Sequence, residues 1–113
     1  METFYFTQGD TGIPLECRIA DKNGNIDLSD KTATLTIWNL HSSVKVIDAA
    51  SCDPDPDQAV NKGVLRYNWT PQDAIDMVRG MYEARFSVIY SGGAVVSFPR
   101  GNFGDDYFSI IVT

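Results

Sequence analysis

Histidine is nearly absent from this sequence, cysteine is scarce and basic residues are few. His41 is the only histidine, and Cys17 and Cys52 are the only cysteines. That supply is too small for a zinc centre, which needs several nitrogen or sulfur ligands, and no CxxC spacing occurs. One pair of cysteines permits one internal disulfide. Cys17 alternates with Leu15 and Ile19, so it reads as a buried strand position. Cys52 stands in a polar loop beside "DPDPD". Both read as reduced thiols, one of them core filler.

Lys and Arg number 9 against 15 Asp and Glu, for a formal net charge of −6. The basic residues are scattered, and no basic stripe offers to neutralise phosphates. Nucleic acid is therefore not expected as a partner, and anionic membrane surfaces are disfavoured. The apolar runs are too short to cross a bilayer. "METFYFTQGD" lacks the basic and apolar regions of a signal peptide. Synthesis in a cytoplasm, without export by the general secretory route, is the expectation.

Period-two alternation dominates what is present. Hydrophobic residues make up 43% of 113 positions, enough for one globular domain over 1–113. "FYFT" at 4–7 is a first short strand. "GDTG" at 9–12 breaks it, and Leu15, Cys17 and Ile19 alternate in a second. "ADKNGNIDLSD" is a long turn region. "KTATLTIWNL" is a third strand, with Ala33, Leu35 and Ile37 on one face, and "SSVKVIDA" at 42–49 is its hairpin partner.

"SCDPDPDQAVNKG" reads as a loop, because its prolines remove backbone donors. In "VLRYNWT", Leu65, Tyr67 and Trp69 alternate with Arg66 and Asn68. "TPQDAIDMVRG" predicts one short helical turn near 71–78. Thr70 caps it, Pro71 takes the first helical position, Asp73 completes a capping box and Gly80 stops it.

"MYEARFSVIY" is the strongest strand, with Tyr82, Ala84, Phe86, Val88 and Tyr90 on one face. Ser91-Gly92-Gly93 turns the chain into "AVVSFP", and "YFSIIVT" closes it. Seven to eight short strands at this spacing predict an all-β Greek-key sandwich. Tyr82, two residues after Gly80 at a strand start, fits a tyrosine corner, whose hydroxyl bonds to backbone a few residues upstream. The cysteine that follows this tyrosine in immunoglobulins is Ala84 here, so the inter-sheet disulfide is absent.

No catalytic set, metal site or cofactor site is expected. Asp53, Asp55 and Asp57 invite a calcium reading. An EF-hand loop starting at Asp53 would need glycine and glutamate where Gln58 and Val64 stand. The run reads as a solvated acidic loop; a calcium site of another kind would combine it with Asp105 or Asp106. His41, at a strand end, is the one general base of the usual type, and Cys52 is the nucleophile that a Cys–His pair would use. "SGGAV" lacks the rest of a phosphate loop. "NWT" at 68–70 matches a glycosylation acceptor but lies on a strand.

Trp38 breaks the parity of Ala33, Leu35 and Ile37, which places it on the outer face. Exposed aromatics anchor protein interfaces and also stack on sugars. Trp38, Phe6, Phe103 and Tyr107 are the interface candidates. Arg100 joins them in "FPRGNFGDDYF", the expected contact loop.

In order, "YFTQGDTGIPLECRIAD", "GNIDLSDKTATLTIW", "GVLRYNWTPQD", "GMYEARFSVIY" and "VVSFP" resemble the N-terminal domain of the phage baseplate upper protein family. The likeness spans most of the chain. It implies an immunoglobulin-like sandwich in the virion of a tailed bacteriophage, attaching receptor-binding machinery to the tail tip. The partners would be other virion proteins, with many copies in a symmetric assembly. Members of that family usually continue into a linker and further domains, whereas this sequence stops at Thr113. Two expectations stay open: a small virion protein or an isolated attachment domain. A carbohydrate-binding or adhesin-type module is the alternative function.

Overall fold

The computed structural model describes residues 3–21, 24–98 and 108–113. Along them run β1 (Thr3–Phe6), β2 (Leu15–Arg18), β3 (Ala20–Asp21), β4 (Gly24–Asn25), β5 (Thr32–Asn39) and β6 (Lys45–Pro54). Then come β7 (Val64–Tyr67), α1 (Pro71–Asp76), β8 (Gly80–Ile89), β9 (Val95–Phe98) and β10 (Phe108–Val112). Alternation decides which side of each strand faces in. In β8, Tyr82, Ala84, Phe86 and Val88 are at most 1% exposed, while the residues between them are half-buried. In β5, Ala33, Leu35 and Ile37 are buried in the same way. Each large apolar side chain so buried contributes about 1.5–3 kcal/mol.

The strands are ordered β1-β10-β8-β5-β6-β7-β2, with β9 also on β8 and β3-β4 as a separate hairpin. This is an all-β, immunoglobulin-like sandwich. One layer holds β1, β10, β9, β8, β5 and most of β6; the other holds β7, β2 and the end of β6. β1 runs parallel to β10, and the remaining pairs are antiparallel.

β6 belongs to both layers. Its residues from Lys45 to Cys52 pair with β5, whereas Asp53 and Pro54 pair with Arg66 and Leu65 of β7. The ladder with β5 shifts register on both sides of Ile37. Ala49 has a φ of 51°, and its N–H bonds to Thr36 Oγ1 at 3.1 Å. Such bulges bend and twist a strand, which lets it leave one sheet for the other.

Two features close the core. Gln58, 5% exposed, holds three segments together. Its Oε1 accepts from the N–H groups of Leu28 and Gly63, both at 2.9 Å. Its Nε2 donates to the carbonyls of Asp55 at 2.9 Å and Val64 at 3.3 Å. Gly63, at a φ of +85°, lies so close to Ile19 that a Cβ would stand 2.5 Å from the Ile19 carbonyl oxygen.

At α1, Thr70 Oγ1 accepts from the Asp73 N–H at 3.1 Å, and Asp73 Oδ2 accepts from the Thr70 N–H at 2.9 Å. The capping box predicted from "TPQD" is thus formed. Tyr67 Oη also donates to Asp73 Oδ2, tying the helix to β7. Tyr82 Oη donates to the Val78 carbonyl at 2.7 Å, the bond of a tyrosine corner.

Several local expectations are corrected. Cys52 is the buried cysteine, in β6, and Cys17 is half-buried; the two are not joined in a disulfide. The strand continues to Pro54; the next residue's N–H, that of Asp55, bonds to the Val64 carbonyl at 2.9 Å, so the donor that Pro54 lacks would face away from β7. α1 ends at Asp76 with Met77 as its C-cap, and Gly80 opens β8 instead of stopping the helix. Phe6 faces the core at 9% exposure, because its neighbour Tyr5 takes the outward position.

Candidate protein-interaction site

The two layers do not seal everywhere. β1 ends one layer and β2 ends the other, and a cleft of about 290 Å³ lies between them. Its floor includes Phe6, Leu15, Trp69 and Ile110, and its mouth carries Tyr5 and Ile13. The Phe6 and Trp69 rings are 4.4 Å apart, and Tyr67 meets Trp69 edge-on at 5.3 Å. Tyr5 is 74% exposed and Ile13 is 78% exposed. Large apolar side chains left this open beside an apolar cleft are features of surfaces that bind partners.

Beside the cleft, Glu16 Oε2 receives Arg66 Nε at 2.8 Å, and Asp55 Oδ2 receives Arg66 Nη1 at 2.8 Å. The Arg66 hydrogen bond, helped by the Asp57 N–H, holds the Asp55 carboxyl below its ordinary value. The same partners push the Arg66 guanidinium further up. This trio links β2, β7 and the chain after β6, and fixes the β2 side of the cleft.

A second, shallower depression of about 210 Å³ surrounds Trp38, with Asn39, Leu40, Ser43, Glu83 and Arg85. Trp38 is half-buried near the end of β5, opposite Glu83 of β8 and Lys45 of β6. The Asn39 carboxamide is occupied by the turn: its Oδ1 accepts from the N–H groups of His41 and Ser42.

The two predicted interface residues among those described, Trp38 and Phe6, lie at different sites: Trp38 lines the second depression and Phe6 the first cleft. Phe6 acts as buried floor, not as exposed anchor. Arg100, Phe103 and Tyr107 lie outside the described residues, as do Asp105 and Asp106. At the cleft, Tyr5 and Ile13 are exposed apolar residues that sequence reasoning passed over. The available signal was parity: in "FYF" the outer aromatics share a face and Tyr5 opposes them.

The acidic run is engaged by protein groups. Asp53 Oδ2 accepts from Asn68 Nδ2 at 2.9 Å, and Asp55 Oδ1 accepts from the Asp57 N–H at 2.8 Å. Among the described residues, no group of three His, Cys, Asp or Glu side chains is placed to hold a metal ion. Among them, too, no helix is long and apolar enough to cross a membrane. The chain matches no protein-family model, and no curated protein matches it.

Proposed function

We propose that this chain is a non-enzymatic structural module of a tailed-bacteriophage particle, in the tail tip or baseplate. There it docks receptor-binding machinery or neighbouring subunits. The observation that carries the reading is the open apolar cleft between the end strands of an immunoglobulin-like sandwich. The resemblance of the ordered motifs to baseplate upper proteins supports the setting. Multi-copy assembly multiplies weak contacts of this size into firm attachment. Three reactive side chains are occupied structurally, which supports it too: Asp73 caps α1, Tyr67 anchors Asp73, and Cys52 is buried.

The test is particle composition. Purified virions carrying a tagged copy are expected to retain the chain in their tails, and cryo-microscopy to place it at the tail tip. A chain that is synthesised in infected cells but missing from the virions overturns the reading.

One observation favours a second reading, a saccharide-binding module. Trp38 offers an indole face beside Glu83 and Arg85, the mixture of aromatic and planar polar groups that suits sugars. Glycan-array binding that Trp38→Ala abolishes, with the fold intact, would put this reading first.

A further inference from the structure

β1 has a used edge and an unused one. On the used side the Phe6 carbonyl accepts from the Thr113 N–H at 2.9 Å, and the Gln8 N–H donates to the Thr113 carbonyl at 3.0 Å. Backbone groups of successive residues in a strand point to opposite edges. Phe4, Phe6 and Gln8 therefore address β10, and Thr3 and Tyr5 turn their N–H and carbonyl groups the other way. Among the described residues no strand pairs with that edge. The edge borders the cleft, since Phe4, Tyr5 and Phe6 all line it.

We propose that the cleft takes an extended segment of another polypeptide, which adds to β1 as a strand. Its alternate apolar side chains enter over Phe6, Trp69 and Ile110, and lysine or arginine flanks them. The inference rests on the interaction role proposed above but not on the kind of particle.

Three properties select this occupant. The unpaired backbone of β1 is met by another strand and by nothing else that buries apolar surface equally well. The volume, about 290 Å³, is at the lower end for small-molecule sites, which span roughly 300–1,000 Å³. It suits one or two side chains delivered by a backbone that stays at the rim. The charged lining residues, Asp10 and Glu16, are both acidic. Glu16 shares Arg66 with Asp55, which leaves that trio with a net negative charge. Asp10 has no ion pair among the described residues. A second copy of this chain would bring the same carboxylates and a formal charge of −6 against them. A basic-flanked segment is favoured instead, by attraction and by steering.

The experiment uses two short synthetic peptides of alternating valine and threonine, one with lysine at both ends and one with glutamate. Binding to the full chain is followed by Trp fluorescence and by amide hydrogen exchange. The lysine-ended peptide is expected to bind at roughly millimolar concentration or below, at least about tenfold tighter than the glutamate-ended one. It should slow exchange of the Tyr5 N–H.

Tyr5→Pro removes that N–H and should abolish binding. Because it also stresses β1, Ile13→Lys serves beside it: this exposed position should keep the melting temperature and weaken binding at least about tenfold. Unchanged Tyr5 exchange with the lysine-ended peptide overturns the proposal, as does equal binding of both peptides or binding untouched by Ile13→Lys. A concentration-dependent dimer that protects the Tyr5 N–H without peptide also overturns it, in favour of a second copy. Failure here leaves the virion test unaffected, so the two readings fall separately.

Discussion

Gln58 is a single side chain on which three stretches of backbone depend. Replacing it by leucine keeps the volume and removes the acceptor for two buried N–H groups, those of Leu28 and Gly63. The Val64 carbonyl keeps the Asp55 N–H at 2.9 Å, so the donors carry most of the loss. Gln58→Leu is expected to cost about 2–5 kcal/mol, read from urea unfolding. Gly63→Ala should cost at least about 2 kcal/mol, since it combines a left-handed backbone with a contact to the Ile19 carbonyl that cannot relax.

Titration acts at this scale as well. Asp55 is favoured in its charged form by folding, first through Arg66. The stability it contributes is present above the ordinary carboxylate value and disappears as pH falls through the lower folded value. At the other extreme, burial pushes the Cys52 thiol from 9.0 up to about 12, with Asp53 adding to it. Burial, followed by the Asp73 hydrogen bond, also raises the Tyr67 hydroxyl. The folded chain keeps these protons where the unfolded chain has released them. Unfolding midpoints measured from about pH 8 to about pH 11 should therefore fall as pH rises, and a flat profile would contradict the burial of both groups.

Among the elements, β8 was the most legible in the sequence and β6 the least. β8 has strict alternation over its full length, so its inward residues could be named from the pattern alone. β6 hides its second half. Its bulge at Ala49 breaks the alternation, and the prolines after Cys52 look like loop signals. Parity therefore failed where the strand changes sheets, and the buried cysteine was assigned to the wrong position. The helix was legible because its signals are local: a cap, a proline and an acid three residues on. The tyrosine corner was legible for the same reason. Tyr82→Phe removes only the bond to the Val78 carbonyl and should lower stability by about 1 kcal/mol without altering the circular dichroism spectrum.

At the scale of the whole molecule, the sequence carries strand count and layering but not which strands end each layer. The cleft therefore could not be read, because it arises between β1 and β2 from pairings made far along the chain. Only the aromatic parity of "FYF" hinted at one of its walls. The same long-range pairings make β10 central despite its place near the end of the sequence. It lies between β1 and β8 and buries Ile110 and Val112. Deletion of residues 108–113 is expected to release β1 and unfold the sandwich, seen as loss of the sheet signal in circular dichroism. A truncated chain that stays folded would mean that β8 closes the layer without it.

The parallel pairing of β1 with β10 has a mechanical consequence. Thr3 enters the pair at one end, and Thr113 leaves it at the other. A pull applied to the two ends of the chain slides one strand along the other, so the ladder resists with all its rungs together instead of unzipping rung by rung. A protein anchored at both ends in a machine that transmits force would gain from being gripped in this direction.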